Sequence, residues 1–188
     1  MTFAPEEIAT VRLELTPLRV ADADEMVEVL TDTSLYTFTG GEPPDPTTLR
    51  ERYRALVAGS GRPGEFWLNW IVRRRDDARP VGTVQATVIR DGPGWAAEVA
   101  WVVGRPWQGR GYASEAAVAL VSWLRERGAW PVTAHVHPDH AASAAVAARA
   151  GLVATADEVD GERAWVSAPP APVPRPAPDA GRAPDAPR

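Results

Sequence analysis

Ala96-Ala-Glu-Val-Ala-Trp-Val-Val-Gly-Arg-Pro-Trp-Gln-Gly-Arg-Gly-Tyr-Ala-Ser-Glu115 packs a strand, a turn and the start of a helix into twenty consecutive residues. Residues 96–103 are apolar except for Glu98, the pattern of a buried strand. Gly104, Gly109 and Gly111, with Pro106, then break the pattern as a tight backbone turn requires. Ala117, Leu120, Val121 and Leu124 follow at i, i+3, i+4 and i+7 and predict a helix. Ser114 is its expected cap and Gly128 its expected stop.

A glycine loop that feeds straight into a helix aims several unpaired backbone N–H groups and the positive end of the helix dipole at one place, and that place suits phosphate. Glycine serves there because a Cβ would hold the phosphate away from the amides. Arg105 or Arg110 can add charge from the side. An ordinary connection between a strand and its crossover helix also has this form, and the glycines alone do not separate the two readings.

The rest of the chain does separate them. Gln108-Gly-Arg-Gly-Tyr-Ala113 resembles the Q/R-x-x-G-x-G/A signature of the GNAT superfamily of acyl-CoA-dependent N-acetyltransferases, and it stands in the matching context, after a strand and before an amphipathic helix. His137-Pro-Asp-His-Ala-Ala-Ser143, the alanine-rich stretch to Ala150 and Gly151-Leu152 resemble that superfamily's second cofactor-contacting region, usually Pro-x-Asn-x-x-Ser, a helix and Gly-Phe. The resemblance is closest to the ribosomal-protein N-terminal acetyltransferase branch and covers roughly residues 11–167. It implies acetyl-CoA as co-substrate and a primary amine as acceptor.

Composition is compatible with that implication. A chain of 188 residues, 45% hydrophobic, is large enough for one sizeable core. Without cysteine it has no disulfide, thiolate metal site or cysteine nucleophile. The N-terminal Met-Thr-Phe-Ala-Pro-Glu-Glu7 has neither a basic region nor an apolar run, and no stretch is long and apolar enough to cross a membrane, so a soluble cytoplasmic protein is expected. A net charge of −5 argues against nucleic acid and tolerates a cationic substrate. The expected partners are acetyl-CoA and the amine; neither nucleic acid nor membrane is expected, and self-association into a homodimer stays open.

Around the central stretch, Val11-Arg-Leu-Glu-Leu15 alternates and predicts a first strand, and Asp22-Ala-Asp-Glu25 resembles the capping box of a first helix carrying Met26, Val27, Val29 and Leu30. Leu49, Tyr53 and Leu56 mark a second helix ending near Gly59. Residues 66–72 and 81–89 read as strands that form an antiparallel meander with the central one. Beyond Gly128, residues 132–136 predict a strand, 141–150 a helix, and 152–156 with 163–167 a hairpin around Asp160-Gly161. The fold class expected is α+β (mixed α/β), a largely antiparallel central sheet flanked by helices, over residues 1–167. Residues 168–188 hold eight of the nineteen prolines among Ala, Asp, Arg and Gly and are expected to form a disordered tail.

The chemistry implied by the resemblance is direct attack of an amine on a thioester. An amine of pKa about 10.4 is roughly one part in 2,500 neutral at pH 7, a deficit of about 4.6 kcal/mol, whereas an α-amino group near 7.8 carries a deficit of only about 1 kcal/mol. Glu98, a lone carboxylate in an apolar strand, is the candidate base; an edge-exposed or ion-paired glutamate is the alternative. By the resemblance Ser143 is the candidate acid, against a plain first-turn helix residue. The resemblance puts the pantetheine on the backbone of Val102 and Val103, and the pyrophosphate on the loop, where Gln108, Gly109, Arg110, Gly111, Tyr112, Ala113 and Ser114 are the candidate contacts. His140 stands where the family usually has asparagine, which puts that family hydrogen bond in doubt although an imidazole can itself donate. His135, His137 and His140, with Asp139, invite a metal reading, but no separate carboxylate–histidine cluster completes one, and no metal is expected. Trp67, Trp70, Trp101 and Trp123 fit core or sheet-face packing, and Trp107 could line the cleft.

Three functions fit these residues: acetylation of a protein or peptide α-amino group, acetylation of a small amine such as an aminoglycoside in an acidic cleft to which Glu42, Asp45 and Glu98 contribute, and acyl-CoA binding without catalysis.

Overall fold

A computed structural model of the chain describes residues 2–169. Eight strands, β1 (Ile8–Ala9), β2 (Leu13–Pro17), β3 (Glu65–Arg74), β4 (Pro80–Asp91), β5 (Gly94–Val103), β6 (Ala129–Val136), β7 (Leu152–Val159) and β8 (Glu162–Ser167), form one sheet in the order β1-β2-β3-β4-β5-β6-β8-β7. Each neighbouring pair is antiparallel except β5 and β6, which run parallel. Four helices, α1 (Ala23–Val29), α2 (Pro46–Ala58), α3 (Tyr112–Glu126) and α4 (Ala141–Arg149), complete a mixed α+β fold. Among the described residues no helix is long and apolar enough to cross a membrane.

Alternation along β3 divides the interior in two. Trp70 and Ile71 are both fully buried, yet as neighbours in a strand they point to opposite faces. Trp70 meets Leu68, Val84, Ala86 and Val99 beneath Leu120 and Leu124 of α3 and Val146 of α4. Its ring lies edge-on to Trp123 at 5.4 Å, and its indole N–H donates to the Glu6 carbonyl at 2.7 Å. Ile71 instead meets Met26 and Val29 of α1 and Leu49 and Tyr53 of α2. Each buried leucine contributes about 1.5–3 kcal/mol through removal of its surface from water. Truncating Leu120 to alanine in this packed layer costs about 2–5 kcal/mol.

Several local expectations are corrected. The first long strand begins at Leu13 rather than Val11, whose side chain is exposed. Ahead of it, β1 is too short to leave any periodic signal. Asp22 does not cap α1 through its side chain; its carboxylate accepts from the Arg19 N–H at 2.7 Å and from Arg73 at 2.9 Å, closing a 3-10 turn over Val20–Asp22. β7 runs on to Val159, because its partner register is re-established beyond a bulge between Ala154 and Glu158. The expected tail begins at the edge of the described residues, and from 170 onward it lies outside them.

Candidate active site

The site is organised by a parting of two strands. β5 and β6 pair from Trp95↔Ala129 to Glu98↔Thr133; no pair joins them beyond that point, as β6 turns to β8 while β5 stays with β4 out to Val103. Residues 99–103 are therefore left with one open edge. The Gly104 N–H donates to the Val81 carbonyl of the β4 side, and the Val102 carbonyl lies so close to Gly82 that a Cβ there would sit 2.1 Å from it. Alternation then turns the backbone of Val102 toward β4 and that of Trp101 and Val103 toward the opening. Of the two expected strand-end contacts, Val103 meets the open edge and Val102 does not. The Val103 carbonyl already accepts from the Gln108 side-chain amide at 2.9 Å, while the Val102 side chain packs toward α1 and α2.

From Val103 the chain passes through a 3-10 turn, Arg105–Trp107, into the glycine loop. The Gln108 N–H belongs to that turn, donating to the Arg105 carbonyl at 3.3 Å. The amides of residues 109–114 have no acceptor among the described residues, so of the expected loop amides only that of Gln108 is already engaged. Gly111 makes this possible. It takes a left-handed conformation, φ 79° and ψ 5°, from which α3 starts at Tyr112; it therefore holds the capping position expected of Ser114. An unpaired row of N–H groups at a helix start, with no Cβ on two of its members, fits a pyrophosphate.

The loop is held from 100 residues away. Glu115, in the first turn of α3, accepts from the Thr10 hydroxyl at 2.6 Å, the Arg12 N–H at 2.8 Å and the Arg12 Nε at 2.6 Å. Arg12 in turn donates to the Arg110 carbonyl at 2.9 Å and lies over the Tyr112 ring at 4.9 Å. Burial pulls the Glu115 carboxyl up, but the bonds from Thr10 and Arg12 outweigh it and hold the group below its ordinary range. Arg110, Ala113 and Ser114 supply backbone to the cradle, and the Arg110 side chain is exposed.

Midway along β5, Glu98 faces the side of α1 and α2 and is more than half exposed. Its Oε1 lies 3.3 Å from Nδ1 of His135, two residues past the last β5–β6 pair. Ser143, in the first turn of α4, accepts from the Trp101 indole N–H at 3.2 Å. An indole nitrogen only donates, so this bond leaves the serine's own proton free. His140 precedes and caps α4: Nδ1 faces the Ser143 N–H at 3.5 Å, and the ring stacks on Phe38 at 4.4 Å. Burial, followed by the nearby His137, pushes the His140 imidazole below its ordinary value of 6.5. His135 turns to Glu98 while His137 and His140 both pack on Phe38, and no group of three metal-ligating residues forms among the described ones. Trp107 packs beside Gly104 between the two cores, and Trp67 stands partly exposed on the α1/α2 face.

Sequence reasoning missed Arg12, Thr10 and Glu115 at the loop and Trp101 and Phe38 at the opening, and it weighed His135 only as a metal ligand. Glu115 alone carried a signal, as an acid in the first turn of a helix.

The acetyltransferase (GNAT) domain family matches residues 12–153. No curated protein sequence matches significantly. Among solved structures, RimL, the ribosomal L7/L12 alpha-N-protein acetyltransferase in complex with coenzyme A, is similar at TM-score 0.70 and 19% identity over 86% of this chain and 94% of its own. A putative ribosomal-protein-serine acetyltransferase from Vibrio cholerae is similar at TM-score 0.66 and 18% identity over 89% and 100%. An acetyltransferase from Agrobacterium tumefaciens str. C58 is similar at TM-score 0.66 and 25% identity over 90% and 98%. The chain belongs to the GNAT acetyltransferase family.

Proposed function

We propose that the protein transfers an acetyl group from acetyl-CoA to the α-amino group of a protein or peptide. The observation that carries this reading is the open edge of residues 99–103, which joins an unpaired amide cradle at 109–114 to a carboxylate–imidazole pair at the strand parting. A phosphate-bearing thioester laid along that edge would have its pyrophosphate on the loop amides and its pantetheine against the backbone of Trp101 and Val103. When bound, it supplies the thioester carbonyl and a thiol leaving group.

The residues of the chain do the rest. Glu98, held by His135, takes a proton from the incoming ammonium and so presents the amine lone pair. A C–N bond forms as the C–S bond breaks. Ser143, which accepts from Trp101 and keeps its own O–H to give, protonates the departing sulfur, and the second proton shed by the acylated nitrogen restores the serine hydroxyl. A thiol of pKa near 8.5 leaves readily, so this donation contributes less than the base.

An acidic cleft for a polyamine finds less support. Asp45 is engaged at the start of α2, where it accepts from the Thr47 and Thr48 N–H groups at 2.8 and 3.1 Å. His140 caps α4, which gives the imidazole a structural role at this position without calling on lost activity.

The pH–rate profile of Glu98→Gln tests the reading, since the change keeps shape and removes basicity. At neutral pH the rate on an α-amino peptide falls on the order of 10² to 10⁴-fold. The deficit shrinks above about pH 8 for an α-amine and persists to about pH 10 for a lysine-like amine. Equal rates of variant and wild type at pH 6.5 on both acceptors would make Glu98 structural.

A further inference from the structure

The face of the sheet beneath α2 carries a row of polar side chains that neither the core nor the proton transfers use. Trp67 and Asn69 of β3 pair directly with Thr87 and Gln85 of β4, and Thr87 and Gln85 pair with Glu98 and Ala100 of β5. Paired residues share a face, and directly opposed Cβ atoms lie about 4.5–5.5 Å apart. Leu56 of α2 roofs the row, and together Leu56, Trp67, Asn69, Gln85, Ala86 and Thr87 line a cleft of about 210 Å³. One edge of that cleft is the residue opposite Glu98.

Asn69 is the informative member. It is only 8% exposed, and its side-chain amide has no hydrogen-bond partner among the described residues although its backbone carbonyl accepts from the Leu18 N–H at 2.9 Å. Its amide atoms are not among the fully buried unpaired polar atoms of the described residues, which are Tyr53 Oη and Trp123 Nε1, so the side chain opens into the cleft and offers its donors and acceptor there. Gln85 and Thr87 are likewise without side-chain partners among the described residues, and all three line the same cleft. Trp67 differs: its indole N–H is tied to Glu65 at 2.8 Å, which leaves the ring face as its offering.

We infer that this cleft binds the first peptide groups of the acceptor, with Asn69 and Gln85 reading its backbone while Glu98 faces its terminal amine. This rests on the acetyl-transfer reading above and deepens it. A side-chain amide presents one acceptor and two donor hydrogens, the complement of a peptide's N–H and C=O. The lining holds no charged residue, and the carboxylate beside it is already paired with His135. A polycation would find one shared carboxylate here; an extended peptide finds two amides, a hydroxyl, and an aromatic and a leucine wall for a side chain. A larger hollow of about 270 Å³ around Phe3, Ser60 and Phe66 touches none of β5, the glycine loop or α4 and has no part in this.

Gln85→Leu and Asn69→Leu test the cleft, with the exposed Gln85 serving where the buried position fails to fold. The quantity measured is the ratio of kcat/KM for a free-amino hexapeptide to that for hexylamine, an amine without peptide groups. Each change lowers that ratio at least tenfold, with the loss on the peptide carried mainly by KM. An unchanged ratio overturns the inference. Calorimetric binding of the same hexapeptide to the protein–CoA complex separates this from the transfer reading, because it needs no turnover. A peptide Kd weakened tenfold in Gln85→Leu supports the cleft even if no thiol is released, and an unchanged Kd overturns it even where acetyl transfer is seen.

Discussion

β5 serves two parts of the candidate site that are built in opposite ways. At its far end the phosphate cradle is a single run of backbone, residues 109–114, shaped by glycine and continued by a helix. At the parting from β6 the groups proposed to react, and the side chains that hold them, come from different elements: Glu98 and Trp101 from β5, His135 from β6 and Ser143 from α4. A backbone site tolerates many side-chain changes but not a new Cβ. The assembled site is the reverse, because each function there belongs to one replaceable atom. Substitutions in the two parts should accordingly fail in different quantities, cofactor affinity in one and turnover in the other.

Gly111→Val should have the largest effect of this set. A β-branched residue at φ 79° is strained by about 1–2 kcal/mol, and its Cβ lies 3.4 Å from Arg12 Nη2 in the cradle. Acetyl-CoA affinity measured by calorimetry should fall at least tenfold, about 1.4 kcal/mol. A folded variant with unchanged Kd would remove the cradle from the account.

Glu115→Gln sharpens the same end from a distance. It keeps the side chain's size but gives up charge-assisted bonds to Arg12, which costs about 1.5 kcal/mol of stability and loosens the Arg110 carbonyl's anchor. The pH sign follows from the depressed carboxyl. Its contribution is present above the ordinary value of 4.5 and is lost as pH falls through the lower folded value, so the variant should melt earlier at pH 7 and show a flatter acid limb. Identical melting curves from pH 3 to 7 would show that the clamp carries no stability.

At the parting, Ser143→Ala should lower kcat about tenfold or less and leave KM for acetyl-CoA near its wild-type value, since only the departing sulfur loses a proton donor. A loss confined to KM would reassign the serine to binding. The smallest effect belongs to His140→Asn, which retains a capping acceptor. With its folded value depressed, His140 stays neutral in the folded chain while the unfolded chain takes up a proton, so the wild type loses stability as pH falls below 6.5. The asparagine variant should match the wild type at pH 7.5 and exceed it at pH 5, read as melting temperatures. A variant that loses equally at both would mean that the imidazole's stacking on Phe38 outweighs its titration.

The same contrast decides how much was legible in the sequence. The cradle could be read because glycine spacing, a preceding apolar strand and a following helical period are all local, and the long strands β3, β4 and β5 were found for the same reason. Local reading failed where two local solutions compete. Ser114 looks like a cap, yet a left-handed Gly111 starts the helix three residues earlier; Asp22 looks like a capping box, yet Arg73 draws it elsewhere. The assembled site could not be read, since Glu98 and His135 are separated by 37 residues, Trp101 and Ser143 by 42, and Arg12 and Glu115 by 103. Glu98 stood out only as a charge in an apolar strand. His135 shared its vicinity with two other histidines, and no spacing told which of the three would turn to the carboxylate.

The most direct test of the account is thiol release from acetyl-CoA by the wild-type protein, followed with a panel of free-amino peptides, lysine-side-chain peptides blocked at the N-terminus, and aminoglycosides. Saturable release that depends on an α-amino peptide, with N-terminally acetylated peptide as the product, is the expected result. Release that depends only on aminoglycosides or on lysine side chains, or no release with any acceptor while acetyl-CoA still binds, would contradict it.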